Sequence, residues 1–119
     1  MKSFAHYINE EAKTFKPPAG AASAAQKALD FRDEHGDEVK AGTRVGWTRA
    51  NQLANREELS LETVRRMHSF FSRHDGNQSI SNDNKNTPWK DNGYVAWLLW
   101  GGDAGKSWAQ KIVDQEEED

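Results

Sequence analysis

Successive stretches of this chain place apolar residues three and four positions apart, the spacing that gathers them on one face of a helix. At the front, Phe4, Tyr7 and Ile8 fall on one side, with Lys2, His6, Asn9 and Glu10 mostly off it. A stripe this short is not stable alone in water, so it orders on docking or as the first turns of a longer helix, which Ala12 and Phe15 would extend. Pro17-Pro18 ends any such helix, because proline lacks a donor and pushes the preceding residue out of helical angles. From Ala19 to His35 the pattern predicts a helix with Ala21, Ala24, Ala25, Ala28, Leu29 and Phe31 inward and Gly36 as its stop; the alanines permit close packing. After the polar connection Asp37 to Gly42, Thr43 caps a helix to about Arg56, offering Val45, Ala50, Leu53 and Ala54 to the core.

Ser60 opens the next helix, with Glu62 in its first turn and Val64, Met67, His68, Phe70 and Phe71 following before Gly76. Asp75 to Asp91 reads as a long polar loop with Ile80 and Trp89 as anchors, long enough to be functional or mobile. Gly93 to Trp100 is the most apolar run and predicts a central core helix. Gly101-Gly102 breaks it, and Asp103 caps a last helix, Ala104 to Val113, with Trp108 and Ile112 inward. The expectation is an all-α compact bundle of about five to six short helices. It divides into a detachable segment 1–10, a linker 11–18, a helical domain 19–113 and an acidic tail 114–119.

A chain of 119 residues is large enough for a real core without disulfides, and it holds no cysteine, which excludes a disulfide scaffold and thiolate metal sites. No apolar run reaches the length of a membrane span or of a signal peptide. The net charge of −3 argues against a protein that coats nucleic acid everywhere. The charge is uneven, however. Between Thr43 and His74, Arg44, Arg49, Arg56, Arg65, Arg66 and Arg73 face only Glu57, Glu58 and Glu62, whereas Asp114 to Asp119 is almost entirely acidic.

Those arginines lie on a second pattern. Gln52 to Met67 is similar to a helix-turn-helix unit, with a small residue in the first helix and Val64 and Met67 at inward positions of the second. On that reading Ser60, Glu62, Thr63 and Arg66 face the major groove, and Arg65 and Arg73 lie nearer phosphate. Arg49 and Arg56 complete the set of nucleic-acid-binding candidates. Glu58 stands where the family usually has glycine, so the turn is either different or strained. The alternative is an ordinary helical hairpin with its arginines solvated or paired with Glu57, Glu58 and Glu62.

Other chemistry is thin. Asp75, Asp83 and Asp91 lack the spacing of a calcium loop, and His68 and His74 lie six apart, so they do not share a helix face as metal ligands. Gly101 to Ser107 ends in Gly-Lys-Ser like a phosphate-binding loop, but Trp100 stands where the first glycine belongs and a helix precedes it, not a strand. His74 beside Arg73 and Asp75 reads as a helix-terminal histidine, and the acidic pairs Asp33-Glu34 and Asp37-Glu38 lack an apolar pocket. No catalytic residue, metal or cofactor is expected. Trp97, Trp100 and Trp108 read as core; Trp47 and Trp89 could form a partner surface or stack on bases.

Met1, Lys2, Phe4, Tyr7, Ile8 and Glu10, with Ser3 in place of threonine, resemble the capsid-targeting sequence of internal head proteins of T-even-type bacteriophages. In that family the prohead protease cuts after a glutamate with Leu or Ile two residues before it, and Ile8-Asn9-Glu10 meets the rule. The resemblance implies cleavage between Glu10 and Glu11 after the chain has entered an assembling head through Phe4, Tyr7 and Ile8. The body resembles a small helical module of tailed-phage proteins, sometimes attached to head-maturation proteases. The likeness rests on Leu59 to Met67, Phe70-Phe71-Ser72-Arg73-His74 and Tyr94 to Trp108. Together they imply a non-enzymatic internal head protein, located in the virion interior and then the host cytoplasm. Its implied partners are the prohead scaffold and prohead protease, and then either a host protein or double-stranded DNA.

Overall fold

The computed structural model describes residues 13–117; the targeting stripe Phe4, Tyr7 and Ile8 and the cleavage residues Glu10 and Glu11 lie outside them. Among the described residues the fold is all-α apart from one two-stranded ladder. A strand β1, Thr14–Phe15, leads to helix α1, Ala19–His35, and helix α2, Arg44–Ala54. A strand β2, Leu59–Ser60, enters α3, Leu61–Arg73; α4 is Asn92–Leu99 and α5 is Gly102–Glu117. Short 3-10 turns occupy Gly36–Glu38, Asn82–Asn84 and Pro88–Lys90.

The helix starts follow from their caps. Thr43 Oγ1 accepts from the Gly46 amide at 3.1 Å, Ser60 Oγ from Thr63 at 3.2 Å, and Asp91 Oδ1 from Tyr94 at 3.0 Å. Each satisfies a donor that the first turn leaves orphaned. Helix α1 stops where expected, with Gly36 at φ 51° and its amide bonded to the Arg32 carbonyl. The cap expected at Asp103 is corrected: α5 begins one residue earlier, and the Asp103 carboxylate accepts from Trp97 Nε1 at 2.8 Å. A buried indole N–H outcompetes the helix end for that carboxylate.

Helix α1 is the hub, packing on α2, α4 and α5, while α3 packs on α5. Small residues allow this. A Cβ added at Gly20 would meet the Ala104 Cβ at 2.8 Å, and one at Gly102 would meet the Ala24 Cβ at 2.9 Å. The core comprises Ala21, Ala25 and Ala28 of α1, Leu53 of α2, Val64, Met67 and Phe71 of α3, Val95, Trp97 and Leu99 of α4, and Ile112 of α5. Phe71 meets Trp97 edge-on at 4.8 Å, an arrangement that suits two ring quadrupoles. Val45, expected inward, is 52% exposed. Ala50 and Leu53 are buried as expected, and Gly46 and Arg49 join them in place of Val45, because Gly46 lets Leu99 and Trp100 approach the helix.

Residues 13–18 differ from a free linker. Thr14 and Phe15 pair antiparallel with Ser60 and Leu59, Lys13 Nζ lies 2.8 Å from Glu116, and Pro17 is fully buried. Phe15 sits on a strand, so the front stripe does not continue through it as helix. The acidic end also differs from expectation, since α5 runs on to Glu117. In the long loop Trp89 is the anchor: its ring stacks on His35 at 3.6 Å, with 2° between planes.

Candidate functional site

Helix α3 presents Glu62, Arg65, Arg66, Ser69, Ser72 and Arg73 to solvent, opposite its buried Val64, Met67, Phe70 and Phe71. The period is that of an amphipathic helix, so one turn after another repeats a basic or hydroxyl side chain on the outer face. Arg66 reaches back to Glu62 at 2.8 Å, an exposed pair one helical turn apart. Such pairs add about 0.3–0.5 kcal/mol and exchange readily. Among the described residues Arg65 and Arg73 make no ion pair, which leaves their donors available. Ser60 and Thr63 are occupied with each other: besides the cap, Ser60 Oγ donates to Thr63 Oγ1 at 3.0 Å.

The other two arginines go elsewhere. Arg56 takes a left-handed backbone, φ 50°. Its amide bonds to the Leu53 carbonyl at 3.0 Å, and the Glu57 amide to Gln52 at 2.9 Å, the double closure of a Schellman motif at the end of α2. The strain suspected at Glu58 therefore lies two residues earlier. Glu58 itself accepts from Thr14 Oγ1 at 3.2 Å. Arg49 is 7% exposed. Its Nη1 donates to the Gln52 side-chain oxygen, its guanidinium carbon lies 5.5 Å from the Trp100 ring centroid, and its Nε is buried with no partner. Burial pushes the guanidinium down from its ordinary value, and nearby Arg66 pushes the same way. An arginine nevertheless stays charged at neutral pH.

Helices α2 and α3 thus bury their apolar faces mainly on different partners, α2 on α1 and α3 on α5. A Schellman turn and β2 stand between them, so the expected helix-turn-helix hairpin is not the packing unit. What joins them is Trp100, whose indole faces Arg49 and also stacks on Phe70 at 5.0 Å. The structure gathers Arg65, Arg66 and Arg73 on one surface, tucks Arg49 under it and separates Arg56. The burial of Arg49 was readable in part: it lies three residues after Gly46 and four before Leu53 along one stripe.

Trp47 and Trp89 are half-buried and serve the fold. Trp47 Nε1 donates to the Ala41 carbonyl at 3.2 Å under the Arg32 guanidinium; Trp89 carries the His35 stack. A cavity of about 510 Å³ is lined by Asp37, Glu38, Lys40, Lys90 and Asn92, where Lys90 pairs with Glu38 at 3.3 Å. Among the described residues no group of His, Asp and Glu is placed to hold a metal, and no helix is long and apolar enough to cross a membrane. No family model, curated protein or solved structure matches the chain. The fold and surface define the class: a small all-α domain with a basic, hydroxyl-bearing helix face beside a buried arginine.

Proposed function

We propose that this chain is an internal head protein of a T-even-type bacteriophage, carried into the capsid by residues 1–10, cut after Glu10 and delivered with the genome. It acts without catalysis, by binding a protein in the host cytoplasm. The observation that carries the reading is where the folded body is fastened. Lys13 to Glu116, Thr14 to Glu58, the β1–β2 ladder and buried Pro17 all lie after the Ile8-Asn9-Glu10 cut, so processing leaves every one of them in place. A chain meant to lose its front end is expected to be built in this way. Mass spectrometry of purified virions tests it: a polypeptide beginning at Glu11 is expected. An intact Met1 terminus on virion-borne protein, or absence from virions, overturns the reading.

The acidic balance favours a protein partner over a nucleic acid. Capture from host lysate by the 11–119 product, with and without nuclease, is expected to retain a partner after nuclease treatment. A second reading, binding of double-stranded DNA, is favoured by one feature, Arg65 and Arg73 on the exposed face of α3, which make no ion pair among the described residues. It requires affinity that falls steeply with salt, with a slope set by the phosphates contacted. Fluorescence anisotropy with duplex DNA at low salt decides it, and no binding there removes this reading.

A further inference from the structure

Among the described residues Arg49 carries a charge that no carboxylate answers. Its one hydrogen-bonded partner among the described residues is the neutral Gln52 side chain. No described carboxylate lies within ion-pair reach, and Nε is buried without a partner. A buried ion without a counter-charge is strongly unfavourable, and folds ordinarily pair such a group or leave it out. The Trp100 face at 5.5 Å answers the charge only in part. That indole is held in turn by Phe70, so the guanidinium has a fixed wall beside it before anything binds.

We infer that Arg49, with Arg66 one helical turn before the Phe70 that stacks on the same Trp100, forms a binding site for a carboxylate supplied by an acidic segment of a partner protein. Of the Arg49 nitrogens Nε is buried without a partner and Nη1 is taken by Gln52, which leaves Nη2 as the nitrogen with free donors outside that buried edge. The planar fork suits a carboxylate, and Arg66 already holds one, Glu62, in an exposed pair that can exchange. Recess decides between oxyanions. At 7% exposure Arg49 is reached by a slim group on a flexible side chain. A duplex phosphate, carried on a convex backbone, meets the exposed Arg65 and Arg73 first. The biological use of the site rests on the protein-partner reading above; its chemistry does not.

The test uses the purified full chain, with melting temperature and tryptophan emission as readouts. The probes are disodium glutarate, an acetylated tetraglutamate amide and a short duplex DNA, each against sodium chloride of matched ionic strength. Glutarate and the peptide are expected to raise Tm by about 3–5 °C at roughly ten times Kd and to change the tryptophan emission. Arg49→Met is expected to melt at or above the parent temperature, because a lone buried charge is replaced by an apolar chain, and to lose the anion-dependent rise. Arg66→Gln, at an exposed position, keeps the fold and weakens the response about five- to tenfold, and Glu62→Gln strengthens it by removing a competitor. Lys111→Gln, a charge-matched change on α5, leaves it unaltered.

The site is overturned if the parent protein responds no more than to chloride, or if Arg66→Gln and any folded Arg49→Met retain the full rise. A duplex that produces the Arg49-dependent signal at lower concentration than the peptide overturns the carboxylate assignment. Either failure leaves the capsid reading to the virion measurement, which does not depend on Arg49.

Discussion

Nε of Arg56 donates a 2.9 Å hydrogen bond to the carbonyl oxygen of Pro17, thirty-nine positions earlier in the chain. The bond ties the end of α2 to the segment that enters α1. It is made from a left-handed backbone, φ 50°, that side-chain-bearing residues adopt at a cost. One residue therefore closes a helix and fastens the front of the body.

The two roles of Arg56 separate by substitution. Arg56→Ala keeps the backbone strain and loses the charged donor, so a cost of about 1.5–3 kcal/mol is expected. Arg56→Gly loses the same bond but relieves the left-handed conformation, and it is expected to be about 1 kcal/mol less harmful than the alanine variant. Urea unfolding of the three proteins measures the difference. An alanine variant as stable as the glycine variant would show that the backbone there carries no strain.

Gly105, in the first turns of α5, reverses the usual rule for glycine in a helix. Alanine normally gains about 1 kcal/mol over glycine there. Here an added Cβ would lie 2.7 Å from the Trp100 carbonyl oxygen, a backbone atom that cannot rotate away. Overpacking of this kind costs about 1–3 kcal/mol, so Gly105→Ala is expected to lower stability. The Gly-Lys-Ser of this turn is thus explained by close approach of two helices. Thermal unfolding of the variant checks the sign.

Asp91 gives the protein a defined acid sensitivity. Burial pushes its carboxyl up, but bonds from the Ser81 and Tyr94 amides, the Ser81 hydroxyl and the Gly93 amide outweigh this and hold it below its ordinary value. The Ser81 amide lies 2.7 Å from Oδ2 and the Tyr94 amide 3.0 Å from Oδ1, so one carboxylate caps α4 and pins the long loop. A depressed carboxyl contributes stability that is fully present above the unfolded value, about 3.9, and is lost as pH falls through the lower folded value. Asp91→Asn retains an acceptor but cannot titrate. It is expected to be less stable than the parent at pH 7, with the gap closing below about pH 4. Parallel urea curves at the two pH values measure the gap, and a gap that widens in acid would contradict the assignment.

How much of this was legible in the sequence depended on the range of the interaction. Thr43 and Ser60 were readable as caps because the bond is made within three residues of the cap itself. Gly36 was readable as a stop for the same reason. Asp103 misled because its partner, Trp97, belongs to the preceding helix, and burial of the indole set the outcome. Val45 misled because helical spacing does not say which stripe wins, and Gly46 offered α4 a closer approach. The arginines carried the functional reading, yet Arg49 and Arg56 are committed by tertiary contacts with Trp100 and Pro17 that no local pattern announces. Arg65, Arg66 and Arg73 stayed on the surface, because amphipathic spacing along α3 is a local property.

The position of the proposed cut yields a graded truncation series. Removing residues 1–10 leaves the Lys13 pair with Glu116, the Thr14 bond to Glu58, the β1–β2 ladder and the Arg56 bond to Pro17 intact. The 11–119 product is therefore expected to melt within about 2 °C of the full chain, less than a 1 kcal/mol change would cause in a domain of this size. Removing residues 1–18 deletes all four contacts and exposes the partners of buried Pro17 and half-buried Phe15. Loss of the charged Arg56 bond alone costs about 1.5–3 kcal/mol, and uncovering apolar surface adds about 25 cal/mol per Å². A drop of about 10 °C or more is expected for the 19–119 chain. Calorimetry of the three lengths places the boundary. A large loss on removing only residues 1–10 would mean that the front segment belongs to the folded body, and the detachable-address reading would fall with it.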